Sequence, residues 1–143
     1  MALLIKENFG TSGMTEKCFV LDTNAVIFLV SRGSNISLKL QTELNEADLF
    51  ISGISEIELF SKSTIPANEE EKLRALISER IPAIDLTEAV KKETITIRRK
   101  TKLKLPDSII VATAITLDAV LITEDSKLLN LSLPGFRTQR LTN

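Results

Sequence analysis

The stretch CFVLDTNAVIFLV (residues 18–30) decides how the rest of the chain is read. Residues 18–21 are a short apolar run of β-forming type, the signature of a buried strand. Asp22-Thr23-Asn24 interrupts it, and residues 24–31 then read as a helix. A strand that passes through three polar residues into a helix is a βα junction. Asp22, Thr23 or Asn24 is expected to cap that helix.

The same alternation continues downstream. Residues 37–47 (SLKLQTELNEA) predict a helix, and LFIS (49–52) a second strand. SEIELFSK (55–62) predicts a helix with Ser55 as cap and Glu58 reaching back in a capping box. Asn68 followed by three Glu predicts another helix start, with Leu73, Leu76 and Ile77 on one apolar face. AIDL (83–86) is a third strand, and Thr87 caps a helix to about residue 101. Pro106 suits a first helical position in a helix ending near Leu117. AVLIT (119–123) is a fourth strand, and RTQRL (137–141) a candidate edge strand. Strands alternating with helices predict an α/β fold: one domain with a short, mainly parallel, twisted sheet and helices on both faces. Residues 1–13 read as a leader or disordered tail before a second methionine, Met14, which leaves 14–143 as the domain.

Composition narrows the chemistry. With 143 residues, 43% hydrophobic and 26% charged, the chain suits one globular core. It contains no His, one Cys (Cys18), no Trp and no Tyr. Imidazole bases, Cys–His nucleophiles, disulfides and Cys zinc sites are therefore excluded, and a reducing cytoplasm suits it. Base stacking has little to work with. The net charge of −1 means that attraction to phosphate must come from a local patch. No stretch approaches the roughly 20 apolar residues needed to span a membrane.

Four carboxylates stand at comparable places: Asp22 after the first strand, Glu58 in the helix after the second, Asp107 beside Pro106, and Asp125 after the fourth strand. Each has an ordinary explanation as a helix cap or a dipole partner. Together they mark the crevice outside the carboxyl ends of a parallel sheet, where such folds bind ligands. Clustered carboxylates repel, and a hard divalent cation relieves that repulsion. Oxygen donors without His or Cys suit Mg²⁺ or Mn²⁺ better than zinc.

In order and spacing, FVLDTNAVIFL, ISGISEIELFS and LPDSIIVATAITLDAVLITEDSKL resemble the acidic motifs of PIN-domain ribonucleases, most like the VapC-type toxins, over roughly residues 18–141. The resemblance implies that Asp22, Glu58, Asp107 and Asp125 are the metal-binding catalytic acids, with Thr23, Asn24 and Thr123 as supporting polar groups. Glu56 lies about 200° round a helix from Glu58, and the resemblance selects Glu58. Ser61 stands where many members have Gly. Implied with it are Mg²⁺- or Mn²⁺-dependent RNA cleavage, a homodimer and an antitoxin partner. RNA processing by a PIN nuclease, or a non-catalytic binding module on the same fold, are the alternatives.

A basic run leads into Pro106-Asp107. Lys91, Arg98 and Lys102 are expected on one helical face; with Arg99 and Lys104 they are candidate RNA contacts. A solvated helix face is the plainer reading of such a run. Ile36–Leu40 and ELFSK offer apolar surface for protein partners, or core. Asn24 two residues after Asp22 argues against the D-x-D phosphatases, and no phosphate-binding G-x-x-x-x-G-K-[ST] loop occurs.

Overall fold

The computed structural model describes residues 17–32, 35–62 and 64–142. The leader or tail expected at 1–13, and Met14, lie outside the described residues. The elements are β1 (Cys18–Leu21), α1 (Thr23–Arg32), α2 (Leu38–Glu46), β2 (Asp48–Ser52), α3 (Gly53–Phe60) and α4 (Ala67–Glu79). Then come β3 (Ala83–Ile84), α5 (Glu88–Lys100), α6 (Leu105–Thr116), β4 (Val120–Ile122), α7 (Ser126–Leu129) and β5 (Arg137–Gln139). The strands form one sheet in the order β3-β2-β1-β4-β5, and every pairing is parallel. This is the α/β architecture expected, with helices on both faces.

The sheet explains why its central strands are apolar throughout. β1 lies between β2 and β4 in the sheet, and helices pack on both of its faces. Alternate residues serve opposite cores. Phe19 and Leu21 pack with Leu29, Leu44, Leu59 and Leu73, from α1 to α4. Val20 and Leu121 pack with Val90, Ile97 and Val111 from α5 and α6. On α5 the buried stripe is Val90, Thr94 and Ile97, at helical spacing. α6 is buried almost all round from Ile110 to Ala114, because it sits between the sheet and α5. No helix of the described residues is long and apolar enough to cross a membrane.

Several local expectations are corrected. α3 starts at Gly53, and its cap is Ser52, whose Oγ accepts from the Ile54 amide at 3.2 Å. Ser55 is instead fully buried inside the helix, its hydroxyl unpartnered, and Glu58 makes no capping box. Gly53 is required because a Cβ there would stand 3.2 Å from the Ile84 carbonyl oxygen of β3. α4 starts after Pro66, whose extended backbone serves as the N-cap, so Asn68 lies inside the first turn. α5 ends at Lys100, so Lys102 falls in the following loop and does not share a helical face with Lys91 and Arg98. Thr87 caps α5 as expected, accepting from the Val90 amide at 3.1 Å. The single-turn α7 was not expected; only four residues long, it leaves no periodic trace.

Candidate active site

The strand order reverses between β1 and β4, and the crevice of such a sheet opens at that point. Parallel register pairs Leu21 with Ile122, so the next residues, Asp22 and Thr123, leave the sheet side by side. The Asp22 amide donates to the Ile122 carbonyl at 3.0 Å, and the Thr123 amide to the Gln139 carbonyl at 3.1 Å. Both residues are thus held by the ladder just where it ends.

Their side chains build a relay. The Thr123 hydroxyl donates to Asp22 Oδ2 at 2.7 Å and accepts the Asp125 amide at 3.0 Å. Asp22 Oδ1 accepts the Thr23 amide at 2.7 Å, and the Asp22 carbonyl accepts the Ala25 and Val26 amides at the start of α1. The Thr23 hydroxyl donates to Glu58 Oε1 at 2.7 Å and ties α3 to the same corner. Asn24 is exposed and bonds neither carboxylate. Asp107, in the first turn of α6, pairs with the Lys127 ammonium at 3.2 Å. Asp125 Oδ1 accepts the Lys127 amide at 2.9 Å and caps α7. Lys127 therefore touches two of the acidic residues, and its place was not foreseen. Its signal in the sequence is only a basic residue two positions after Asp125.

The electrostatics show that these acids share a field. Burial lifts the Asp22 carboxyl above its usual range; hydrogen bonds from Thr123 and Thr23 oppose this, and the charges of Asp107 and Asp125 add to it. The hydrogen bond to Asp107, with the charges of Asp107 and Asp125, raises the affinity of the Lys127 amine for its proton. Glu124 belongs elsewhere. It accepts the Leu141 amide at 2.7 Å and the Thr142 hydroxyl at 2.8 Å, fastening the C-terminal segment.

The donor set fits a hard cation. Among the described residues, Asp107 Oδ1, Asp125 Oδ2 and Glu58 Oε2 accept no hydrogen bond. No three acidic side chains of the described residues close on one point.

The basic candidates divide. α5 and α6 pack together as neighbours in sequence, so the end of α5 and the start of α6 share one side. Arg98, Arg99 and Lys102 line a groove of about 540 Å³ there, together with the exposed Ile95 and Leu105. Arg98 also donates to the Leu103 carbonyl at 2.7 Å, which shapes the loop. Lys104 is exposed at the N-cap of α6. Lys91 stands about 14 Å back along the helix from its C-terminal end and pairs with Glu88 at 3.3 Å. Of the apolar candidates, Ile36, Leu40 and Leu59 are core, whereas Leu38 is 76% exposed; Ile57, outside those candidates, is 62% exposed.

A family model for the PIN domain matches residues 19–132, the span that holds all four acids. The chain belongs to the PIN-domain family. PIN domains are nucleases, and the α/β fold with its five-stranded parallel sheet is that of a single PIN domain. Among solved structures, this PIN domain is similar to VapBC2 from Rickettsia felis bound to a fragment of promoter DNA. The TM-score is 0.70 at 21% identity, over 86% of this chain and 98% of that one. It is similar to a toxin–antitoxin complex from Klebsiella pneumoniae, with TM-score 0.62 at 28% identity, over 82% and 93%. It is also similar to VapBC-1 from nontypeable Haemophilus influenzae, with TM-score 0.70 at 25% identity, over 88% and 99%. No curated protein sequence matches the chain significantly.

Proposed function

We propose that this PIN domain is a Mg²⁺- or Mn²⁺-dependent endoribonuclease and the toxin of a toxin–antitoxin pair. The observation that carries the reading is the relay from Asp125 through Thr123 to Asp22 at the switch point of the sheet, with Asp107 close enough to act on Asp22. A bound divalent ion would polarise the scissile phosphate and lower the pKa of an attacking water. Asp22 and Asp107 would hold the ion directly, and Glu58 and Asp125 would act through water or complete a second position. Thr123 and Thr23 keep Asp22 ionised and oriented by donating to it. Asp125, bound through its amide to Thr123, stays in register with Asp22. Arg98, Arg99, Lys102 and Lys104 meet the RNA backbone beside Asp107, and the position of Lys91 makes it the weakest of the basic candidates. With no Trp or Tyr, selectivity rests on the path of the strand and its backbone.

The similarity to toxin–antitoxin complexes, one of them at 28% identity, supports an antitoxin partner and a cytoplasmic role. The exposed Leu38 and Ile57 offer apolar contact for that partner or for a second copy in a homodimer. The test is cleavage of a broad RNA pool by the partner-free protein with Mn²⁺, with Asp107→Asn as the control for contaminating nuclease. Cleavage by the wild type alone supports the reading. No cleavage by either overturns it.

A further inference from the structure

Asp107 is not waiting for a cation; it has one. The Lys127 ammonium lies 3.2 Å from its Oδ2. The geometry is built rather than incidental. Asp125 caps α7 and holds the Lys127 amide at 2.9 Å, so the side chain springs from one wall of the acidic crevice and reaches another, 20 residues away in sequence. The two partners are unequal. The Asp107 side chain is 23% exposed, the Lys127 side chain 59%. The carboxylate is the more enclosed of the two and sits at a helix start, while the lysine is largely exposed to solvent.

We propose that Lys127 is the resident counter-ion of the acidic site: it neutralises Asp107 before metal arrives, and a divalent ion must displace it to bind. The inference rests on the metal-site reading of the cluster and assigns to that site a residue that works against loading. The charges of Asp107 and Asp125 both act on Asp22, so the crevice gathers like charge. Lys127 supplies the opposite charge from within the chain. A divalent ion carries twice that charge and repels the ammonium, so the two compete for Asp107. Departure is easy, because exposed pairs of this kind are weak. Asp107 Oδ1, which accepts no hydrogen bond among the described residues, is where an incoming ion meets the carboxylate first.

Lys127 is thus a positioning residue, acting through Asp107. Its test is a Mn²⁺ titration followed by melting temperature, on the whole chain, for the wild type, Lys127→Met, Lys127→Gln and Lys127→Arg. The two neutral variants should load at a Mn²⁺ concentration about threefold lower than the wild type, the scale on which an exposed charge pair acts. Lys127→Arg, which keeps the charge, should load close to the wild-type concentration. A purely structural ion pair would lower the metal-free melting temperature and leave the loading midpoint unmoved. An unchanged or raised midpoint in both neutral variants, with the wild type responding to Mn²⁺, overturns the role of Lys127 and leaves the metal site standing. No Mn²⁺ response in any of the four proteins overturns both.

Discussion

Thr123 and Asp22, 101 residues apart in sequence, are joined by a 2.7 Å hydrogen bond from the threonine hydroxyl to the carboxylate. Thr123 is completely buried. Its removal therefore tests the site without touching a charge. Thr123→Val keeps the shape and deletes the donor. A hydrogen bond to a charged group of this kind contributes about 1.5–3 kcal/mol, and denaturant unfolding should show that loss. The Asp22 carboxyl should also rise further, because the Thr123 bond is the largest influence lowering it. Mn²⁺-dependent cleavage should fall as well, since Asp22 loses the bond that orients it. Equal activity in the variant and the wild type would count against the relay.

Asp107→Asn should abolish cleavage while leaving the fold intact. Asp107 sits in the first turn of α6 with its side chain partly open, and Asn is compatible with that turn. The loss of one like charge near Asp22 offsets the loss of the pair with Lys127. Unfolding curves of the two proteins should nearly coincide. A variant that melts far below the wild type would mean that Asp107 is structural.

The metal itself can be read by stability. A ligand that binds the native state only raises the melting temperature as its concentration grows. Mn²⁺ should do this for the wild type and much less for Asp22→Asn. A flat response in the wild type would favour a non-catalytic module on the same fold.

Arg80 makes a prediction about the scaffold alone. It is 9% exposed, and its Nη2 donates to the carbonyls of Leu44 at 2.8 Å and Ala47 at 3.1 Å, at the C-terminal end of α2. Burial holds its guanidinium below the usual range, with the charge of Asp48 opposing. Arg80→Met should cost about 2–3 kcal/mol, and chemical denaturation measures it. Specific activity per folded molecule should be retained below the melting temperature.

Acid should loosen the C-terminal segment through Glu124. Burial raises its carboxyl, but the bonds from Thr142 and Leu141 and the charge of Arg140 together bring it below its ordinary value of 4.5. A depressed carboxylate stabilises the fold fully above the unfolded value, and the contribution disappears as pH falls through the folded one. The stability difference between the wild type and Glu124→Gln should be constant near neutrality and shrink below 4.5. A difference that grows on acidification would reverse the sign.

The basic groove predicts a salt effect. Arg98→Gln and Lys102→Gln should each weaken RNA binding across sequences and reduce the slope of log affinity against log salt by about 1. Lys91→Gln should change it least, because Lys91 lies along α5 and is paired with Glu88. Filter binding at several salt concentrations decides between them.

Much of the fold was legible because burial writes itself locally. β1 and β2 are covered on both faces, and continuous apolar runs report that directly. The stripe of α5 and the cap at Thr87 were readable for the same reason: their partners lie within four residues. The capping of α3 was misread because Ser52 and Ser55 are equivalent as local signals, and only the close approach of Gly53 to β3 places the turn. Glu124 and Asp125, neighbours in sequence, part in the fold: Glu124 fastens the C-terminal segment and Asp125 caps α7.

By itself the sequence determined an α/β domain without imidazole chemistry, with carboxylates at its strand ends and helix starts. The tertiary structure alone decided who meets whom. Parallel pairing of Leu21 with Ile122 delivers Asp22 to Thr123, and an ion pair joins Lys127 of α7 to Asp107 of α6. Composition and periodicity follow from whether each residue is buried, a property of its own neighbourhood. Contacts across the chain follow from sheet register and helix packing, which no single segment contains.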